Sequence, residues 1–370
     1  MMVYIVFVAG LAMLVAGADL LVRGARRLAL SAGLSPLVVG LTVVAFGTSA
    51  PELAVSAQAA VNGHGDIAVA NVLGSNIGNV LLILGLSAAI TPLVVSRTLI
   101  LLDIPLMIAA SVLAWVLAMD GVLGFWDGLL LFSGIVAYTI FTVVQSRRAS
   151  RAARASAHAS ATQGPPMAGK AAGLPRLAVD VLLVVAGLGL LVLGADRLVE
   201  SAMTLARTFG VNEVFVGLTI VAAGTSLPEL ATSVLASIKG ERDIAVGNII
   251  GSNVFNLLAV LGVSGMLAPD GLAVAGSMVW VDFPIMLAVA VACLPVLFTG
   301  HLVARWEGLV FLAYYAAYIG FRYLSTTAHE ALDTFEAAMI YFVIPLTVLT
   351  LGISLKRSLK RPSSHPSSRA

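Results

Sequence analysis

Eleven apolar runs, each close to the roughly 20 residues that cross a bilayer, leave this chain no way to fold in water. They fall near 2–22, 34–60, 67–90, 98–119, 125–144, 177–199, 214–238, 244–268, 278–299, 306–324 and 335–355. Only 11% of the 370 residues are charged, where a soluble domain carries about a quarter. The expected class is therefore an all-α polytopic membrane protein. A net charge of +2 gives no reason to expect nucleic acid, and one cysteine, Cys293, excludes an internal disulfide and a thiolate metal cage. The first residues, MMVYIVFVAG, lack a basic leader and read as a retained first span.

Charge sets an expected orientation. With the N-terminus outside, 18 of the 21 Lys and Arg fall in cytoplasmic segments, and only Arg197, Arg207 and Arg322 lie outside. The eleventh run, in a segment 325–355, then brings the basic tail 356–370 to the cytoplasm. Residues 145–176 are rich in Ala, Ser and Arg without an acidic residue, so they read as a mobile cytoplasmic linker rather than a calcium-sensing domain.

The stretch Gly40–Ser87 recurs without a gap as Gly217–Ser264, with 28 of 48 positions identical. Weaker echoes place Gly17-Ala18-Asp19 against Gly194-Ala195-Asp196, Asp103-Ile104-Pro105 against Asp282-Phe283-Pro284, and Trp126-Asp127-Gly128 against Trp306-Glu307-Gly308. The duplication thus spans two five-helix units, 1–144 and 177–324. Five is odd, so the second unit enters the membrane from the opposite side. The expected architecture is two inverted-topology repeats plus an additional C-terminal helix, and such repeats place binding sites near the midplane where the halves meet.

Each copy sets a glutamate, Glu52 or Glu229, near the middle of an apolar run that holds no basic residue at that depth. A lone carboxylate is strongly disfavoured there and must meet a cation or a proton. Pro51 and Pro228 should unwind their helices near Gly47-Thr48 and Gly224-Thr225, freeing backbone oxygens beside the hydroxyls of Thr48, Ser49, Thr225 and Ser226. An oxygen-only set suits hard ions such as Ca²⁺ and Na⁺. On the next helix Asn71, Ser75 and Asn79 form a polar stripe, repeated as Asn248, Ser252 and Asn256, which should face the broken helix. Small Gly74, Gly78 and Gly251 let helices approach, so interhelical hydrogen bonding is a second use for this stripe.

At GTSAPEL, GTSLPEL and the two GSN-x-x-N stretches the sequence resembles the cation/calcium exchanger superfamily, specifically the prokaryotic-type sodium/calcium exchangers with two inverted alpha-repeats. The resemblance implies electrogenic antiport of several Na⁺ for one Ca²⁺ by alternating access, in the inner membrane, with the C-terminus cytoplasmic. It implies a calcium site at Glu52, Glu229, Thr48 and Thr225. It implies sodium positions at Ser49, Ser75 and Ala45, and at Ser226, Ser252 and Ala222, with Asn79 and Asn256 as central ion- or water-contacting residues. Many prokaryotic and potassium-dependent members carry Asp where this chain has Asn256, which speaks against potassium co-transport and leaves two formal charges in the core.

The resemblance implies Ca²⁺ and Na⁺ as the transported ions, with no cofactor expected. The alternative within transport is a proton-coupled calcium exchanger, against which the Ser of each GSN favours sodium in the family comparison. A passive channel would need polar residues along a continuous pore. An intramembrane hydrolase using Ser49 or Ser226 lacks a histidine or lysine base at that depth, so no enzyme is expected. Asp103 and Asp282 read as structural residues at helix starts, the four tryptophans as interfacial anchors, and the eleventh span as an accessory helix for packing or homo-oligomer contact.

Overall fold

The computed structural model describes residues 2–160, 174–208, 224–298, 301–327, 329–349 and 352. Its helices are α1 (Met2–Ala32), α2 (Pro36–Thr48), α3 (Ala50–Val61), α4 (Gly65–Ile90), α5 (Leu99–Asp120) and α6 (Phe125–Ser160) in the first half. The second half holds α7 (Leu174–Thr208), α8 (Leu227–Ile238), α9 (Arg242–Leu267), α10 (Met278–Leu297) and α11 (Arg305–Thr326), and α12 (Leu332–Leu349) follows. Among the described residues eight helices are long and apolar enough to span a bilayer, and α2 with α3 forms a ninth span bent by 46°. The chain is an all-α polytopic membrane protein with two inverted repeats and an extra helix.

The inversion is visible where α1 meets α7. Gly10, Gly17 and Gly24 recur every seventh residue along one edge of α1. A Cβ at Gly10 would stand 2.9 Å from the Leu198 nitrogen, one at Gly17 2.8 Å from the Gly187 oxygen, and one at Gly24 2.9 Å from the Val184 nitrogen. As the number climbs on α1 it falls on α7, so these equivalent helices of the two halves run antiparallel, backbone against backbone, as small residues permit in lipid.

Elsewhere the halves exchange equivalent contacts. A Cβ on Gly308 of α11 would lie 2.5 Å from the Gly85 oxygen of α4, and one on Gly128 of α6 the same distance from the Gly262 oxygen of α9. Two short strands after α4 and before α11, β1 (Leu93–Val94) and β4 (Leu302–Val303), pair antiparallel. Their counterparts β2 (Val122–Leu123) and β3 (Leu272–Ala273) do likewise. At the centre α9 is fully enclosed, whereas no residue of the apolar window of α12 is buried.

Four readings change. The linker begins later than Gln145, because α6 continues as helix to Ser160 through a run of Ala and Arg, both strong helix formers. Residues 161–173 of that linker, and 209–223 including the start of the expected seventh span, lie outside the described residues. Arg322, counted among the basic residues on the outer side, lies within α11, and its guanidinium bonds both oxygens of Asp282 at 3.2 Å. Asp103, expected at a helix start, lies one turn inside α5 and accepts from Tyr138 Oη at 3.0 Å. Trp115 is no simple interfacial anchor, since its indole donates across the halves to the Val279 carbonyl at 2.8 Å.

The glycine seam carries a stability prediction. Gly17→Leu should destabilise the folded protein by about 1–3 kcal/mol, the usual cost of overpacking, while Gly189→Leu, two residues beyond the seam on α7 with open space around it, should cost little. Thermal melting of the two variants in detergent checks the difference.

Candidate functional site

The site starts from two prolines. Pro51 removes the N–H that the Gly47 carbonyl would use, and Pro228 does the same at Gly224. The break falls at Ser49, with φ −85° and ψ 8°, and at Ser226, with φ −87° and ψ 7°, one residue beyond the Gly-Thr pairs that the sequence points to. Each serine precedes a fresh helix, α3 or α8, so Glu52 and Glu229 occupy first turns. A helix start has unpaired N–H groups and a positive dipole end, the best place in an apolar setting for a carboxylate.

Both glutamates are wholly buried, and each is held by the other half. Ser49 Oγ donates to Glu229 Oε1 at 2.8 Å, and Ser226 Oγ donates to Glu52 Oε1 at 3.0 Å. Ser226 also reaches Ser75 Oγ at 3.3 Å. The second oxygen of each carboxylate, Oε2, is buried without a hydrogen-bond partner among the described residues. So are Asn79 Oδ1, Asn256 Oδ1 and Ser252 Oγ. The described ion pairs involve Asp19, Glu200, Glu241 and Asp282, and neither central glutamate.

Asparagines lock the two halves together around these groups. Thr48 Oγ1 donates to Asn248 Oδ1 at 3.0 Å while Asn248 Nδ2 donates to Ser233 Oγ at 2.9 Å. The mirror set has Thr225 Oγ1 on Asn71 Oδ1 at 3.5 Å and Asn71 Nδ2 on Ser56 Oγ at 3.0 Å. Deeper along the stripe, Asn79 Nδ2 donates to Asn253 Oδ1 and Asn256 Nδ2 to Asn76 Oδ1, both at 3.1 Å. The stripe therefore splits: Asn71 reaches both its own broken helix and Thr225 of the other half, whereas Ser75 and Asn79 turn to the other half.

Of the residues singled out in the sequence, Glu52, Glu229, Thr48, Ser49, Ala45, Ser75, Asn79, Ser252 and Asn256 are buried, and Thr225 and Ser226 are half-buried. Ala222 lies outside the described residues. Not picked out were Ser56 and Ser233, whereas Asn76 and Asn253 make the interhelical hydrogen bonds considered for this region. The signal was present: Ser56 and Ser233, and Asn76 and Asn253, stand at the same 177-residue offset as the motifs. Among the described residues no group of three or more His, Cys, Asp or Glu could hold a metal, so the only charged donors converging here are two carboxylates amid neutral oxygens. That set offers hard cations what they bind and offers soft ones nothing.

Comparison with known proteins follows the same residues. A profile of the family described as sodium/calcium exchanger protein matches residues 2–145 and 179–324. The chain belongs to the sodium/calcium exchanger protein family. Sodium/calcium exchanger MaX1 of Methanosarcina acetivorans is 32% identical over 301 residues, covering 74% of this chain and 85% of that protein. Inner membrane protein YrbG of Escherichia coli is 39% identical over 250 residues, covering 66% of this chain and 73% of that protein. The solved sodium-calcium exchanger NCX_Mj shares the fold with a TM-score of 0.72 and 29% identity, covering 86% of this chain and 98% of its own. The match to the sodium/calcium exchanger family omits residues 146–178 and everything after 324, so the end of α6 and all of α12 stand outside it.

The asparagine locks generate a prediction independent of transport. Asn248→Leu leaves the buried Thr48 hydroxyl only the longer bond to the Ala45 carbonyl, at 3.4 Å, and takes the Ser233 hydroxyl's donor, and should cost about 1–3 kcal/mol. Thr48→Val combined with Asn248→Leu should cost less than the two singly added, because they share one bond. A double-mutant cycle on melting temperature in detergent measures the coupling.

Proposed function

We propose that this chain is an electrogenic antiporter that exchanges several Na⁺ for one Ca²⁺ by alternating access, at a midplane site whose charge comes from Glu52 and Glu229. The observation that carries this reading is the pair of crossed serine–glutamate bonds, which bring both carboxylates together and leave one oxygen of each without a donor. Two buried carboxylates repel unless positive charge sits between them. One Ca²⁺ neutralises the pair. Its demand for about 6–8 oxygens is met by the glutamates with backbone and hydroxyl oxygens of Thr48 and Thr225. Sodium ions spread over the oxygens of Ser49, Ser75, Ala45, Ser226, Ser252 and Ala222, with Asn79 and Asn256 between them, compete for the same charge. More than two Na⁺ against one Ca²⁺ moves net charge, hence electrogenicity.

Exclusive occupancy of shared oxygens is what couples the fluxes, since neither ion can stay while the other binds. Ser49 and Ser226 act in this reading as ligands and not as nucleophiles. The named relatives fit it: MaX1 and NCX_Mj are both described as sodium/calcium exchangers. The protein belongs in the plasma membrane of a prokaryote with its N-terminus outside and its basic tail in the cytoplasm, following the distribution of Lys and Arg.

Purified protein in liposomes should take up ⁴⁵Ca²⁺ when loaded with Na⁺ and diluted into Na⁺-free medium, with no pH gradient and no potassium. Uptake that needs a pH gradient instead would transfer the assignment to proton-coupled exchange. Glu52→Gln and Glu229→Gln should each insert normally and abolish uptake; normal uptake by either refutes the site. Lowering the pH should slow uptake in the parent protein, because a proton on either carboxylate takes away half of the charge that holds Ca²⁺. A pH series at fixed Na⁺ gradient reads that slope.

A further inference from the structure

Two buried methionines have no part in the site as described. Met107 on α5 and Met286 on α10 end the equivalent stretches Asp103-Ile104-Pro105-Leu106-Met107 and Asp282-Phe283-Pro284-Ile285-Met286, and are 1% and 2% exposed. Each faces an asparagine of the opposite half. Asn253 Nδ2 lies 3.4 Å from Met107 Sδ, and Asn76 Nδ2 lies 3.8 Å from Met286 Sδ.

A carboxamide presents an oxygen and an NH₂ of nearly the same size, so shape does not choose which end points where; the partners do. A thioether can only accept. Next to Met107, Asn253 must therefore turn its NH₂ outward to sulfur, which turns its Oδ1 inward to the NH₂ of Asn79. Asn79 is left with its own Oδ1 free, and that oxygen is buried without a donor among the described residues. The second chain runs from Met286 through Asn76 to Asn256 and ends the same way. Reversed, either chain would end in an NH₂, whose positive hydrogens repel a cation.

We propose that Met107 and Met286 are positioning residues for cation binding: as acceptor-only ends of two hydrogen-bond chains, they fix the oxygens of Asn79 and Asn256 toward the ions. This rests on the ion-contacting role proposed for those two asparagines. The halves are not equal. Asn76 Nδ2 also donates to the Asn253 carbonyl at 3.3 Å, so its direction is set even without sulfur. Met107 is the sole acceptor for Asn253 Nδ2 among the described residues.

Leucine matches methionine in volume and removes the acceptor, so folding is kept and polarity is lost. With Met107→Leu the Asn253–Asn79 pair is free to reverse, and cation binding has to turn it back against an orphaned NH₂. In proteoliposomes Met107→Leu should raise the half-saturating Ca²⁺ concentration about fivefold or more, the lower end of what an unsatisfied buried donor costs. Its maximal rate and melting temperature should stay near those of the parent, and Met286→Leu should shift half-saturation less than about twofold, given the second acceptor on Asn76. Asn79→Ala is measured alongside. If Asn79→Ala weakens Ca²⁺ and Met107→Leu does not, the positioning role is overturned while the site stands. Equal effects of the two leucine variants, or losses confined to stability and maximal rate, also overturn it, because packing alone would produce them. If Asn79→Ala leaves half-saturation unchanged, the ionic role of Asn79 and the positioning role fall together.

Discussion

Two carboxylates enclosed in the lipid-embedded core without a basic side chain to answer them are the constraint to which the rest of the structure is fitted. The chain does not lack the usual solution. Asp282 has Arg322, Glu241 has Arg26, and Asp19 has Arg23 and Lys239. At the centre that solution is withheld, and milder ones stand in its place: a helix start beneath each glutamate and one hydroxyl donor for each. These satisfy half of each carboxylate. The other oxygen of each is left without a donor among the described residues.

The arrangement depends on duplication. Neither half completes its own site: the serine that steadies Glu52 belongs to the second repeat, and the serine that steadies Glu229 to the first. The same exchange holds for Thr48 with Asn248 and for Asn79 with Asn253. An antiparallel seam of glycines between α1 and α7 brings the halves close enough for such bonds to recur on both sides of the pseudo-twofold axis. These central contacts cross the boundary between repeats, so any movement of one half against the other would disturb several of them at once.

Much of this was legible beforehand. The apolar runs indicate the class, the odd number of spans per repeat requires inversion, and a proline beside a mid-membrane glutamate marks the break. What escaped the sequence has a physical reason in each case. Hydropathy cannot say that α6 persists to Ser160, because the Arg and Ser of this run make it look like a loop while its Ala and Arg are strong helix formers. That Arg322 meets Asp282 depends on α11 lying beside α10, which a count of charges on each side does not reveal. Spacing along α4 shows that Asn71, Ser75 and Asn79 share a face, but three side chains on one face still diverge once their partners come from different helices. The π-helical turns that open at Asn79 and Asn256 add a further twist that no residue pattern announces.

The copies agree at the centre and part company at the rim. Asp103 is met by a tyrosine hydroxyl, whereas Asp282, its counterpart, is clasped by a guanidinium that the first half does not possess, since Thr142 stands where Arg322 would fall. An ion pair present in only one of two equivalent places marks one half from the other, whatever the repeats share at their centre. Duplication supplied the frame, and single substitutions such as this one have since given each end its own character.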